Sequence, residues 1–392
     1  MVGITPASSP TASPAPSPTA SPVQVPERPA DFQDFASVIA EYLTQADGSS
    51  DCLEELFEAW EMPSDGATSC VAAEMDGDGE DEYVVRLARE ALPEEGGLEG
   101  WPAGTIVVLD DSGDGYEVVF RLTDIDELEG DFLQPAIFDV SDSNLDGLAE
   151  ALLTTSVCGA HTCSLTVYLI GHAAGEYVSV IDPGNGMDGT VTLPFAEDQV
   201  RLEDVDGDGV AELLLREGLI GSVGAGPQRE ATHTYRWDGE RYSLASVEYD
   251  SSELLYFKVR DADDAFAEGD YQTAMTLYRE AAENSALQDA ELFGDSAELR
   301  AYARFRMGLV KAVQGDEDGA LAALDAAIAS DPGALHSQMA AQFRLGYKKV
   351  KHVSAGCAAA RDFIEGNLEA FAALWDYGYA NPAFEPGALC PS

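Results

Sequence analysis

The chain has 392 residues, of which 45% are hydrophobic and 9% aromatic, so it can form two or three domains with real hydrophobic cores. Its 72 Asp and Glu residues outnumber its 21 Lys and Arg residues and give a formal net charge of −51. A surface with this much negative charge repels nucleic acid and anionic lipid, so we expect neither as a direct partner.

Residues 1–31 are predicted to be a disordered tether, because they are rich in Pro, Ser, Thr and Ala and contain few large apolar side chains. The sequence shows no signal peptide and no apolar run as long as a membrane helix. A proline-rich start of this kind resembles the segment that follows the acylated cysteine of bacterial lipoproteins. The resemblance implies export, with a lipid anchor upstream of Met1 as the one attachment to a membrane.

Two short helices are predicted at the start of a domain that spans residues 32–250. Apolar residues recur at helical spacing from Phe32 to Leu43 and again from Leu53 to Trp60. Cys52 is expected on the second helix, and Cys70 lies just before the first acidic loop. A bond between the two cysteines would join the helices to the strands that follow.

The sequence from residue 71 to about residue 247 is typical of β-structure and contains three units. Each unit begins with an acidic loop, continues into an apolar strand and later forms a hairpin with glycine in its turn. Asp110, Ser112 and Asp114 resemble a fourth acidic loop but lack a closing carboxylate, so we interpret them as a turn. A tyrosine follows each hairpin turn, and we interpret all three as core residues: Tyr116, Tyr177 and Tyr242.

The most complete acidic loop occupies residues 204–215, which read DVDGDGVAELLL. Its alternate carboxylates point several oxygens at one spot, and its glycines allow a sharp turn without a Cβ penalty. Calcium takes six to eight oxygen ligands at about 2.3–2.6 Å, so the pattern predicts a calcium site. The predicted side-chain ligands of the three loops are Glu74, Asp76, Asp78 and Glu82; Asp142, Asn144, Asp146 and Glu150; and Asp204, Asp206, Asp208 and Glu212. The backbone carbonyls of Glu80, Leu148 and Val210 are expected to add one ligand each.

A solvated acidic turn has the same composition as a calcium loop, and one copy would not distinguish the two. The three copies lie about 60–70 residues apart, which indicates one structural unit used three times. Each copy also runs directly into an apolar segment. We therefore predict up to three bound Ca²⁺ ions, with the first loop the weakest because Glu74 stands where the other loops begin with Asp.

The order of loop, strand and WDGxxY-type hairpin resembles the FG-GAP (VCBS-like) repeat, over about residues 74–247. In that family the repeats form the blades of β-propellers and bind calcium through the loop. The resemblance implies blade-like β repeats in this chain. Closed propellers have four to eight blades and only three units are visible here, so we expect a propeller-like arrangement without full closure.

The hydrophobic period changes after residue 250, and residues 251–392 are predicted to form an all-α domain with a disulfide-capped C-terminus. Two stretches carry Gly, Ala and Ala at steps of five and seven residues: Gly269, Ala274, Ala281 and Gly315, Ala320, Ala327. This spacing resembles tetratricopeptide (TPR) repeats, with an insertion near residues 285–295 and a weaker third unit around Gly346. The resemblance implies a helical solenoid that binds a protein partner or a second copy of the chain. The whole chain is thus predicted to be an α+β protein.

The six cysteines fall into three local pairs, Cys52 with Cys70, Cys158 with Cys163, and Cys357 with Cys390. An alternative for the second pair is a zinc site that also uses His161, although no fourth ligand is visible at a matching spacing. Disulfides and millimolar calcium both belong outside the cytosol, so we expect an extracellular or cell-surface protein.

No nucleophile, phosphate loop or metalloprotease motif is visible, and the five histidines are scattered. The sequence therefore predicts a non-catalytic calcium-binding protein that acts as a protein-binding or scaffold module. Two alternatives remain open at this point. One is a surface structural subunit that self-assembles, and the other is a metal-dependent hydrolase built on the cysteine and histidine cluster at residues 158–163.

Overall fold

The computed structural model describes residues 23–46, 48, 52–62, 68–90, 102–122, 134–159, 161–182, 184, 189–290, 292–388 and 390. Most of the predicted tether, residues 1–22, lies outside this described part. The chain divides into two compact units, one formed by 1–141, 147–153 and 171–178, the other by 142–146, 154–170 and 179–392. Strands predominate up to residue 249 and helices follow, so the predicted α+β class is confirmed.

Two helices open the first unit, α1 (Phe35–Ala46) and α2 (Glu54–Ala59). The carboxylate of Asp31 accepts a hydrogen bond from the Gln33 amide at 3.0 Å and caps the short 3₁₀ turn that leads into α1. The bounds of α1 and α2 confirm the two predicted helices. Cys52 lies in the turn before α2 and not on the helix, which corrects the expected placement.

The first sheet has the strand order β1–β2–β3–β4, and neighbouring strands are antiparallel. Its strands are β1 (Cys70–Ala73), β2 (Glu82–Glu90), β3 (Pro102–Asp111) and β4 (Tyr116–Arg121). One core joins this sheet to α1 and α2, and it includes the buried side chains of Ile39, Leu43, Leu56, Trp60, Val85, Leu87, Val107 and Leu109. The predicted disulfide between Cys52 and Cys70 links the start of α2 to β1 and closes the same core.

The second sheet has the order β10–β7–β6–β5, with β8 paired to β7. These strands are β5 (Gln134–Ser141), β6 (Glu150–Cys158), β7 (Cys163–Ala173), β8 (Glu176–Ser179) and β10 (Val191–Pro194). The predicted Cys158–Cys163 disulfide joins the end of β6 to the start of β7. Because that bond uses both sulfurs, neither is a thiolate able to ligate zinc.

The third sheet lies in the second unit and has the order β11–β12–β13–β14–β9, with β9 parallel to β14. Its strands are β9 (Ile181–Asp182), β11 (Val200–Glu203), β12 (Glu212–Glu217), β13 (Ala231–Trp237) and β14 (Tyr242–Tyr249). Tyr242 is fully buried, as predicted, and its hydroxyl donates to Ser143 Oγ at 2.9 Å. Among the described residues, the three predicted acidic loops thus lead into strands of three different sheets, at β2, β6 and β12.

The rest of the second unit is helical. Its helices are α3 (Leu255–Ala267), α4 (Tyr271–Glu283), α5 (Ser296–Val313), α6 (Glu317–Ser330), α7 (Leu335–Val350), α8 (Val353–Glu365) and α9 (Leu368–Leu374). Consecutive helices pack in pairs, and glycines permit the closest approaches. A Cβ atom on Gly308 would lie 2.8 Å from Leu324 Cδ2, and one on Gly346 would lie 2.3 Å from the Ala355 carbonyl oxygen. None of the described helices is long and apolar enough to cross a bilayer.

The third sheet packs directly against these helices. The guanidinium of Arg229 pairs with Asp261 on α3 at 2.5 Å and lies over the rings of Tyr249 and Phe257, at 4.4 and 4.8 Å from their centroids. Asn381 also donates hydrogen bonds back to carbonyls of the loop before β13. Residue 250 therefore separates the strands from the helices along the chain. It is not a boundary between independently packed domains, because the third sheet and the helices contact each other directly.

A buried arginine lies at the centre of the helical part. Arg306 on α5 is 2% exposed; its Nε donates to the Tyr278 hydroxyl at 2.8 Å, and its Nη2 lies 3.2 Å from Asp263 Oδ1. The hydroxyls of Tyr278 and Tyr302 also donate to the Asp263 carboxylate. The guanidinium covers the Phe266 ring at 4.3 Å. This network joins α3, α4 and α5 in one polar core.

The third predicted disulfide, Cys357–Cys390, joins α8 to the C-terminal segment across 33 residues, whereas Cys158–Cys163 closes only five. Because the entropy removed from the unfolded chain grows with loop length, replacing Cys357 and Cys390 by Ala is expected to lower the free energy of unfolding by about 3–4 kcal/mol. The matched Cys158→Ala, Cys163→Ala variant is expected to lose about 2 kcal/mol. Guanidinium titration of both variants measures the difference, and equal losses would contradict the prediction.

Three disulfides in the described chain are compatible with an extracellular location, because such bonds persist in oxidising compartments. No cysteine remains free.

Candidate metal centre

All three acidic loops occupy the same place in their sheets. Each loop connects an edge strand to the strand that follows it, and the predicted closing glutamate is the first residue of that second strand. Glu82 opens β2, Glu150 opens β6 and Glu212 opens β12. These three side chains are 0%, 3% and 4% exposed, so the structure buries the carboxylates at the end of each loop.

The first loop is held open by hydrogen bonds from its own backbone to its carboxylates. The amide of Gly77 donates to Glu74 Oε1 at 2.7 Å, that of Asp78 to Asp76 Oδ1 at 2.9 Å, and that of Glu80 to Asp78 Oδ1 at 2.8 Å. The loop turns through Gly77 at a φ of 95°, a conformation that favours glycine. The turn therefore presents its carboxylates toward one point.

Four carboxylates meet at that point. Glu74, Asp76, Asp78 and Glu82 each offer one oxygen, and these oxygens all lie within 4.8 Å of one another. Four like charges at this separation repel strongly, and a divalent cation among them would replace repulsion by attraction. The oxygen-rich set matches the preference of Ca²⁺ for carboxylate and carbonyl ligands.

Glu82 distinguishes this cluster from a solvated acidic turn. The residue is fully buried, and Oε2 accepts a hydrogen bond from the Met75 amide. Its other oxygen, Oε1, is buried and has no hydrogen-bond partner among the described atoms. Burial, together with the neighbouring charges of Asp76, Asp110 and Glu74, raises the pKa of Glu82 to about 8, although the Met75 hydrogen bond opposes the shift. A cation bound at Oε1 would supply the partner that this buried oxygen lacks.

The third loop repeats the local geometry. The amide of Gly207 donates to Asp204 Oδ1 at 2.6 Å, and that of Val205 donates to Glu212 Oε2 at 2.9 Å. One oxygen each from Asp204, Asp206 and Glu212 forms a group within 4.8 Å. The closing glutamate thus folds back onto the loop as Glu82 does.

The fourth predicted side chain of this loop, Asp208, is not part of the group. Its Oδ1 accepts a hydrogen bond from the Val210 amide at 2.9 Å. Arg236 on β13 contributes a positive charge instead, with Nη1 3.4 Å from Asp206 Oδ2 and Nε 3.7 Å from Glu212 Oε1.

The second loop shows the same turn at its centre. The amide of Asp146 donates to Asn144 Oδ1 at 2.8 Å, and Gly147 has a φ of 96°. Among the described carboxylates, those of the first and third loops form groups within 4.8 Å. Calcium ligation by Asp142, Asn144, Asp146 and Glu150 therefore stays a prediction, as does ligation by the carbonyls of Glu80, Leu148 and Val210.

Two residues beside the first cluster were not among the predicted ligands. Asp110 on β3 was interpreted as part of a turn; burial raises its pKa, and the charges of Asp76 and Asp78 raise it further. Tyr177 was interpreted as a core residue, but its buried hydroxyl has no partner among the described atoms. Burial raises the pKa of Tyr177, and Glu82 and Asp110 add to the shift. In the sequence, both residues can be recognised only by their fixed positions next to a hairpin turn. Their proximity to the first acidic cluster follows from the pairing of strands, which the sequence pattern does not give.

Comparisons of the chain with protein-family models, with curated proteins and with solved structures find no match. The FG-GAP-like and TPR-like interpretations therefore stay predictions.

Proposed function

We propose that this chain is a non-catalytic calcium-binding protein of the bacterial cell surface. In this proposal the three sheets are FG-GAP-like repeats stabilised by Ca²⁺, and the TPR-like helices bind a protein partner. The observation that carries the proposal is the buried, partnerless Oε1 of Glu82 beside three further carboxylates. Leaving a buried charged group without a partner is costly, and a divalent cation is the ligand that four converging carboxylates suit best.

The helical part supports a binding role through its form. The pairs α5–α6 and α7–α8 pack closely at Gly308 and Gly346, a feature expected of TPR-like units. Stacked helix pairs present extended surfaces, which repeat proteins use for protein recognition. Export is supported by the three disulfides, and a lipid anchor would supply the attachment to the cell surface.

Isothermal titration of the full, metal-stripped chain with Ca²⁺ tests the metal proposal, and Glu82→Gln is the decisive variant. This substitution keeps the size of the side chain but removes the charge at the partnerless oxygen. The calcium affinity of the first site is expected to fall on the order of a hundredfold, because affinity follows the number of charged ligands.

The matched control is Glu80→Gln, which makes the same change two residues away on an exposed side chain and keeps the backbone carbonyl. This control is expected to bind calcium within a few-fold of the parent chain. Absence of calcium binding in the parent chain, or equal affinities in the two variants, would reject the proposed site.

The self-assembling alternative has one specific observation in its favour. Lys348 and Lys349 are exposed at the end of α7, next to Leu345 and Val350, which are 53% and 62% exposed. A basic and apolar patch on so acidic a chain suits an acidic surface of a second copy. Light scattering of the full chain with and without calcium separates the cases, since a monomer in both conditions favours the partner-binding function.

The hydrolase alternative depends on zinc at residues 158–163. Because the Cys158–Cys163 disulfide leaves no thiolate there, elemental analysis of the purified chain is expected to find no stoichiometric zinc, and a tightly held zinc ion would contradict the proposed function.

A further inference from the structure

In the first and third sheets, one strand position lies directly across from the closing glutamate of the acidic loop. In the first sheet Tyr83 pairs with Leu109, so the antiparallel register places Glu82 opposite Asp110. In the third sheet Leu213 pairs with Tyr235, so the same register places Glu212 opposite Arg236. Side chains paired across antiparallel strands have Cβ atoms about 4.5–5.5 Å apart and interact directly.

The two positions are equivalent in sequence as well as in register. Asp110 lies six residues before Tyr116, and Arg236 lies six residues before Tyr242. In both hairpins the residue after this position pairs with the tyrosine. The same place in one structural unit is therefore occupied by opposite charges.

At the first loop the cross-strand residue adds negative charge. Asp110 lies beside the group formed by Glu74, Asp76, Asp78 and Glu82 and is not one of its four members. Like charges placed directly opposite one another are destabilising, so Asp110 increases the need for a cation. The partnerless Oε1 of Glu82 shows independently that this need is not met by the described protein atoms.

At the third loop the cross-strand residue supplies positive charge. The Arg236 guanidinium lies 3.4 Å from Asp206 and 3.7 Å from Glu212, which are two of the three members of that group. Glu212 Oε1, the counterpart of the partnerless Glu82 oxygen, therefore faces a cation that belongs to the protein. A second cation at the same place would meet repulsion from the guanidinium.

We propose that the residue opposite the closing glutamate determines which acidic loop binds calcium. Asp110 strengthens divalent-cation binding at the first loop, and Arg236 serves the third loop as a built-in counterion that weakens or replaces the metal there. This proposal rests on the proposed calcium-binding function. It reverses the ranking expected from the loop sequences, in which the first loop is the weakest.

The test exchanges the charges in the full, metal-stripped chain and measures calcium affinity and stoichiometry by calorimetry. Asp110→Asn is expected to weaken calcium binding at the first loop by about tenfold or more, because one unit of negative charge is lost beside the ion. Arg236→Asp is expected to raise the number of tightly bound calcium ions by one. Circular dichroism confirms that each variant is folded.

Matched controls make the same changes in the turns of the same hairpins. Asp114→Asn and Arg241→Asp alter exposed residues and are expected to change calcium affinity by less than about threefold and stoichiometry not at all. Absence of calcium binding in the parent chain would overturn the proposed function itself. Calcium binding that is unchanged in Asp110→Asn and in Arg236→Asp would overturn this inference alone, and so would equal changes in variants and controls.

Discussion

Chelation of calcium from the full chain is expected to lower the melting temperature of the first unit by about 5–10 °C when it empties the first acidic loop. A ligand that binds only the folded state at a hundredfold excess over its Kd stabilises by about 2.7 kcal/mol. One kcal/mol shifts the melting temperature by about 2–4 °C in a domain of 150–250 residues. Without the ion, the buried Glu82 carboxylate is left beside the three other carboxylates that repel it.

Hydrogen exchange with and without excess chelator locates this effect along the chain. Peptides from β2, which begins at Glu82, are expected to exchange faster after chelation, whereas peptides from α5 are expected to keep their protection. Magnesium is the control ion, because it keeps several of its own waters and is rarely bound by a set of protein oxygens alone. If the melting temperature and the hydrogen exchange are the same in chelator and in calcium, calcium does not stabilise the first unit.

Replacement of Arg306 by Met is expected to destabilise the helical part by about 3–5 kcal/mol. The substitution keeps apolar bulk but leaves the Asp263 carboxylate, which Arg306 contacts at 3.2 Å, without its positive partner in a largely buried environment. It also removes the donor that reaches the Tyr278 hydroxyl at 2.8 Å. Urea unfolding followed by circular dichroism at the helical minimum measures the loss.

Two further variants separate lost charge pairing from lost packing. Arg279→Met removes an exposed arginine next to Tyr278 and is expected to change stability by less than about 0.5 kcal/mol. The double variant Asp263→Leu, Arg306→Met removes both charges and is expected to be more stable than Arg306→Met alone, since no buried charge remains unpaired. If Arg306→Met is as stable as Arg279→Met, the Arg306 network does not hold α3, α4 and α5 together.

Several elements of this fold are visible in sequence because they are set by neighbours in the chain. The two opening helices, the hairpins and the helices after residue 250 all follow from local periodicity and turn residues. The three disulfides pair cysteines separated by only 18, 5 and 33 residues, so proximity in sequence was enough to predict each pair. The acidic loops are local as well, since each turn is closed by hydrogen bonds between residues two to five positions apart.

Burial and strand register are different, because they depend on residues far apart in sequence. The loop pattern ranks the first site weakest for its Glu74, whereas the structure places there the fully buried Glu82 with a partnerless oxygen. Asp110 and Arg236 face the closing glutamates only because β2 pairs with β3 and β12 pairs with β13. The packing of the third sheet against the helices likewise depends on Arg229 reaching Asp261, 32 residues away.

Local sequence is enough to specify the turns, helices and crosslinks of this protein and the chemistry that its acidic loops offer. Tertiary packing specifies which carboxylate is desolvated, which charge lies opposite it and which surfaces pack together. The physical reason is that hydrogen bonding within a turn acts over a few residues, whereas desolvation and cross-strand electrostatics act between segments that the fold brings together.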